Sequence, residues 1–97
     1  MSDTLHPVGT VLYFCLPINC EAVRDRVTEP QRIYNNLYLT PEAAHAASAE
    51  RKGETGLDPD QCSPEIAVAM VVTGGFVRSE DQSAHIVVPD WSRTFGE

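Results

Sequence analysis

Leu37–Gly53 reads LYLTPEAAHAASAERKG, and more local signals agree here than anywhere else in the 97 residues. Leu37-Tyr38-Leu39 is a short apolar, β-prone piece. Thr40 is a good N-cap, Pro41 suits the first helical position, and Glu42 sets negative charge on the positive end of the helix dipole. Alanines follow, then Arg51 and Lys52 in the last turn, with Gly53 where a left-handed cap belongs. The stretch predicts a strand running into a helix of about three turns. Its small side chains predict close packing on a sheet.

Upstream, Gly9–Leu16 (GTVLYFCL) is a β-branched and aromatic run closed by Pro17, which predicts a mostly buried strand. Asn19 can cap a short helix, CEAVRDRV, with Ala22, Val23 and Val27 inward and Arg24, Asp25 and Arg26 outward. Thr28–Asn36 reads as a polar connector: Pro30 stops the helix and Asn35-Asn36 supplies turn chemistry. Downstream, Gly53–Pro64 is a loop that holds Glu54, Asp58 and Asp60 and no base. From Glu65, IAVAMVV is an apolar run of strand length suited to the centre of a sheet. Gly74-Gly75 predicts a bulge or bend, and Phe76–Arg78 pairs with Ala84–Val88 as a hairpin across SEDQS. The expected fold is α+β, a single small domain over 1–97 in the order β-α-β-α-β-β. Its sheet is mostly antiparallel with two helices on one face. Residues 1–8 and 89–97 read as loose tails, the latter carrying Trp91 and Phe95.

Charge divides unevenly along the chain. Fourteen acids against seven bases give −7. Residues 1–52 hold six acids and five bases, whereas 53–97 hold eight acids and two bases. Such a surface opposes direct contact with nucleic acid or anionic membrane, where phosphates must be met by Lys and Arg. It suits a basic partner, and it also serves solubility. No apolar run approaches the ~20 residues that span a bilayer, and the N-terminus lacks the pattern of a signal peptide. Three cysteines without metal-type spacing predict free thiols in a reducing cytoplasm.

Catalytic constellations are hard to find. His6, His45 and His85 are dispersed, and His45 stands alone on its helix without an i, i+4 partner for zinc. Cys15 sits in a strand and Cys62 in a loop, with no neighbouring His in sequence to generate a thiolate. Thr73-Gly74-Gly75 lacks the following helix and the Lys of a phosphate cradle. Asp58-x-Asp60 and Glu80-Asp81 fall in polar turns, where solvated carboxylates are the default. No cofactor or metal is expected.

Two resemblances bear on function. Val11-Leu12-Tyr13-Phe14, a helix, and Leu37–Thr40 feeding an alanine-rich helix resemble the start of compact ADP-ribosyltransferases over residues 9–52. That resemblance implies NAD chemistry, with Tyr38 stacking on nicotinamide and Glu65 or Glu80 as the transferring carboxylate. The first strand, however, lacks the family's His or Arg. In size, charge and simplicity, the chain also resembles small acidic phage-encoded anti-CRISPR proteins. That resemblance implies a non-enzymatic inhibitor, acting in the cytoplasm of a bacterial host cell on a basic DNA- or RNA-binding complex of the CRISPR-surveillance kind. Carboxylates would stand in place of DNA phosphates. The residues suited to that contact are Glu54, Asp58, Asp60 and Glu65 around the loop, Glu80 and Asp81 at the hairpin tip, and Trp91 as an apolar anchor. Phe95 or Tyr34 could serve as anchor instead. A protein-interaction domain with no inhibitory role is the third expectation.

Overall fold

The computed structural model describes residues 5–34, 36–56, 58, 61–79 and 82–96. The elements are β1 (Val11–Pro17), α1 (Glu21–Asp25), β2 (Gln31–Tyr34), α2 (Pro41–Glu54), β3 (Glu65–Ser79) and β4 (Gln82–Gly96). They form one antiparallel sheet in the order β1-β3-β4-β2. This is the expected α+β order β-α-β-α-β-β.

Helix α2 forms as its caps predict. The Thr40 hydroxyl accepts from the Ala43 N–H at 3.1 Å. The helix takes in Gly53 and Glu54 beyond the expected stop, with Thr55 as C-cap, and the left-handed backbone falls three residues later, on Gly56 (φ +72°) rather than Gly53. Ala44 and Ser48, one turn apart, are its buried residues, so a face of small side chains meets the sheet.

Three expectations about the strands are corrected. Leu37–Leu39 is not a strand; it contributes one bridge, Tyr13 to Tyr38, on the outer edge of β1. The second strand is instead Gln31–Tyr34, inside the supposed connector. Residues from Asp90 onward, read as a tail, are the second half of β4. Phe95 pairs there with Ala67 and Gly96 with Ile66. The β3–β4 hairpin is therefore much longer than Phe76–Arg78 against Ala84–Val88. Its register shifts between Val72 and Gly74, where the sequence predicted a bulge.

The helices do not share a face. Side chains alternate across a strand. Tyr13, Cys15 and Ala67 meet Ala44 of α2 on one side. Phe14, Leu16 and Met70 point to the other, where they line a hollow with Ala22 of α1. That second side also carries the main core of Leu12, Val68, Met70, Val72 and Val87.

Covalent reach shows that the sheet curls around this core. Tyr34 ends β2 at one edge, and Tyr38 bridges to β1 beyond the opposite edge. Four residues span at most about 14 Å, whereas four strand spacings of a flat sheet come to about 19 Å. The sheet must therefore bend until its two edges approach, and Leu37 packs against the core on the inside of that bend. One end of the curl is occupied by the segment before β1. There the His6 N–H donates to His85 Nε2 at 3.0 Å, and Leu5 lies over Gly75. The other end opens beside α1.

Candidate interaction site

Of the acidic candidates among the described residues, Glu54 and Asp58 are exposed and Glu65 is turned inward. Glu54 closes α2 and Asp58 follows in the next loop; both are exposed and neither has an ion-pair partner among the described residues. Asp60, Glu80 and Asp81 lie outside the described residues. Glu65 is turned inward, with only 13% of its side chain exposed. It accepts the hydroxyl of buried Ser48, and its other carboxylate oxygen faces Lys52 Nζ at 3.9 Å. Lys52 also donates to the Ser63 carbonyl at 3.2 Å. Ser48 and Lys52 stand at i and i+4 on α2, so one helix face fastens the first residue of β3. Glu65 therefore serves the packing of α2 on the sheet, leaving Glu54 and Asp58 as the solvated carboxylates of this end.

β3 then runs fifteen residues, from Glu65 to Ser79. At about 3.3 Å per residue its contour is about 50 Å, longer than the molecule's greatest extent of 37 Å.

Trp91 is half-buried. Its indole N–H donates to the Val27 carbonyl at 2.7 Å, which ties β4 to the chain after α1. Phe95 is more open and lies edge-on to Tyr13, with ring centroids 5.8 Å apart. Tyr34 is partly buried at the end of β2.

The structure also makes a pairing that sequence spacing did not reveal. Cys15 was read as lacking a neighbouring histidine, yet its Sγ lies 3.6 Å from His45 Nδ1. His45 Nε2 lies 3.0 Å from the Phe95 carbonyl oxygen. A carbonyl can only accept, so Nε2 carries the proton and Nδ1 of the neutral ring is left to accept from the thiol. The thirty-residue separation hides this contact in the sequence. No local pattern signals it. All three cysteines are free thiols, as expected. Among the described residues no three His, Cys, Asp or Glu side chains form a metal-binding group.

The ADP-ribosyltransferase resemblance asks Tyr38 and a later carboxylate to serve one ligand. The Tyr38 hydroxyl lies 3.4 Å from Arg51 Nη1, while Glu65 is held by Ser48 and Lys52 beside the far end of β1. Comparison with protein-family models, characterised proteins and solved structures finds no match to this chain. Among the described residues, no helix is long and apolar enough to cross a membrane.

Proposed function

We propose that this chain is a non-enzymatic inhibitor that binds a basic, nucleic-acid-binding protein complex through carboxylates of its 53–97 half, as anti-CRISPR proteins do. The observation that carries the reading is the partition of charge: all but one unit of the net −7 lies beyond Lys52. The first contact is the end of α2 and the loop after it, where exposed Glu54 and Asp58 stand with no base between Gly53 and Pro64. A groove built to hold phosphates through Lys and Arg attracts such anions, which raises both association rate and affinity. Phe95 is the better-exposed apolar anchor, since Trp91 is committed to Val27.

The test is capture of the partner from a bacterial lysate on immobilised protein, then its affinity at low and high salt. Glu54→Gln, Asp58→Asn and Asp60→Asn together are expected to weaken binding about tenfold and flatten its salt dependence. Unchanged affinity in that triple variant overturns the reading.

A further inference from the structure

We propose that His85 is the latch of a pH-sensitive strap: when its ring takes up a proton, the segment before β1 leaves the end of the curled sheet. The His6 N–H donates to His85 Nε2 at 3.0 Å. A backbone N–H can only donate, so Nε2 keeps its lone pair and the ring is neutral for as long as the bond stands. His85 is only 6% exposed and shares its face of β4 with Val87 of the main core. A proton on Nε2 sets two donors against each other in a place with little water to accept from either. The bond is complete above the range in which histidine titrates, about pH 5–8, and is lost as pH falls through it.

Register sets Ile33 of β2 and Gly75 of β3 opposite His85, with Ser83 and Val87 two residues away along β4. Arg32 and Tyr34 pair with Ile86 and Ala84, so they alternate to the other face. From the segment before β1 come Leu5, which lies over Gly75, and His6, whose ring centroid is 5.4 Å from that of His85. Among these described neighbours His6 is the other titratable group. When both rings are charged they repel across this distance, so a second proton drives the release in the same direction. The strap also has a defined end. The Gly9 N–H donates to the Val72 carbonyl at 2.7 Å, and the Thr10 carbonyl accepts from the Val72 N–H at 2.9 Å, so the chain is pinned to β3 from Gly9 onward. Gly9 has φ +94°, a backbone that glycine adopts without strain. Leu5 to Val8 swing from that point and uncover His85 and Gly75, while β1 stays paired with β3.

The test is NMR of the full chain between pH 7.5 and 5, following the histidine ring signals and backbone hydrogen exchange. As His85 takes up its proton, exchange at the residue 6 amide, relative to its intrinsic rate at each pH, is expected to rise at least about tenfold. The amides of Leu12 in β1 and Ser48 in α2 are expected to keep their protection, which sets the release apart from unfolding. His85→Gln supplies an acceptor that does not titrate, and is expected to hold the strap down to pH 5. His6→Ala keeps the backbone donor, and is expected to keep the transition. The proposal is overturned if the residue 6 amide of the wild type holds its protection at pH 5, or if Leu12 and Ser48 lose theirs together with it. Release that persists in His85→Gln also overturns it, as does loss of the transition in His6→Ala, which would assign the effect to the His6 ring. The wild-type and His6 readings hold even if the His85 variant does not fold.

Discussion

The Ser48 hydroxyl donates to the Glu65 carboxylate, joining the middle of α2 to the first residue of β3. The serine is fully buried and the acceptor is charged, so this bond is stronger than an ordinary surface contact. Ser48→Ala removes the donor but adds a better helix former, and is expected to cost about 1–2 kcal/mol in urea unfolding. Glu65→Ala strands the buried hydroxyl and loosens Lys52, and is expected to cost about 2–3 kcal/mol. A cost below about 0.5 kcal/mol for both would show that the contact does not fasten the helix.

Thiol reactivity follows burial. Cys15 is only 6% exposed beneath α2, whereas Cys20 and Cys62 are half-exposed. An aromatic disulfide reagent is expected to titrate two thiols quickly in the native protein, and the third only at the rate at which α2 opens. His45→Ala takes away the thiol's acceptor and the link to the Phe95 carbonyl, and is expected to speed that third reaction. Three equally fast thiols would contradict the placement of Cys15.

The two adjacent glycines of β3 should respond differently. A Cβ on Gly75 would stand 3.0 Å from the Ala84 carbonyl oxygen, which is backbone, and 3.0 Å from Leu5. Gly75→Ala is expected to cost about 1–3 kcal/mol by forcing the strands apart. At Gly74 the nearest atoms belong to Ile86 at 3.8 Å, ordinary contact. Gly74→Ala is expected to be neutral or stabilising by up to about 1 kcal/mol. Thermal denaturation of the pair checks the order.

Acid stability reports on Asp90. The Ser92 hydroxyl, 2.5 Å away, is the main cause holding its carboxyl below the ordinary value of 3.8. Partial desolvation opposes this, while the Ser92 N–H and Arg93 add to it. A group with a depressed folded-state pKa stabilises the fold above its unfolded value and loses that contribution as pH falls through the folded value. Asp90→Asn is therefore expected to lower the melting temperature near neutrality, with the difference shrinking as pH falls below the ordinary carboxylate value of 3.8. A constant offset at all pH values would assign the effect to packing instead.

Trp91→Phe keeps the ring but leaves the Val27 carbonyl without its donor. The expected cost is about 1–2 kcal/mol by chemical denaturation. A wild-type midpoint would show that the indole bond does not hold the chain after α1 to the sheet.

Where residues carry their own conformational signal, the fold was legible in the sequence. Thr40-Pro41 placed the start of α2, the run after Glu65 placed β3, and the Gly pair marked the shifted register. Strand β2 was hidden because Gln31 and Arg32 are polar and an outermost strand buries little. Ile33 and Tyr34 alone do not make a recognisable alternation. The second half of β4 was hidden for a related reason: WSRTFG becomes strand because the edge of β3 receives it, not through its own propensity. Leu37–Leu39 failed in the opposite sense. Its residues suit a strand, but the chain passes β1 at only one bridge, sends Leu37 into the core and leaves Leu39 63% exposed. Of the candidate site, exposed Glu54 and Asp58 were legible as loop acids. The inward turn of Glu65 and the meeting of Cys15 with His45 depend on tertiary contacts that no local pattern encodes.

The pairing of outer strands with distant inner ones also bears on the order of folding. Val11 finds its partner in Val71, and Gln31 in Val87. Joining β1 to β3 or β2 to β4 closes a long loop, whereas β3 and β4 are neighbours in sequence, so the β3–β4 hairpin is expected to form first. The hairpin is the natural nucleus, and the first half of the chain is a late arrival that wraps around it. Substitutions on either side of the bulge near Gly74 should therefore slow refolding. Those in β1 or α2 should chiefly hasten unfolding.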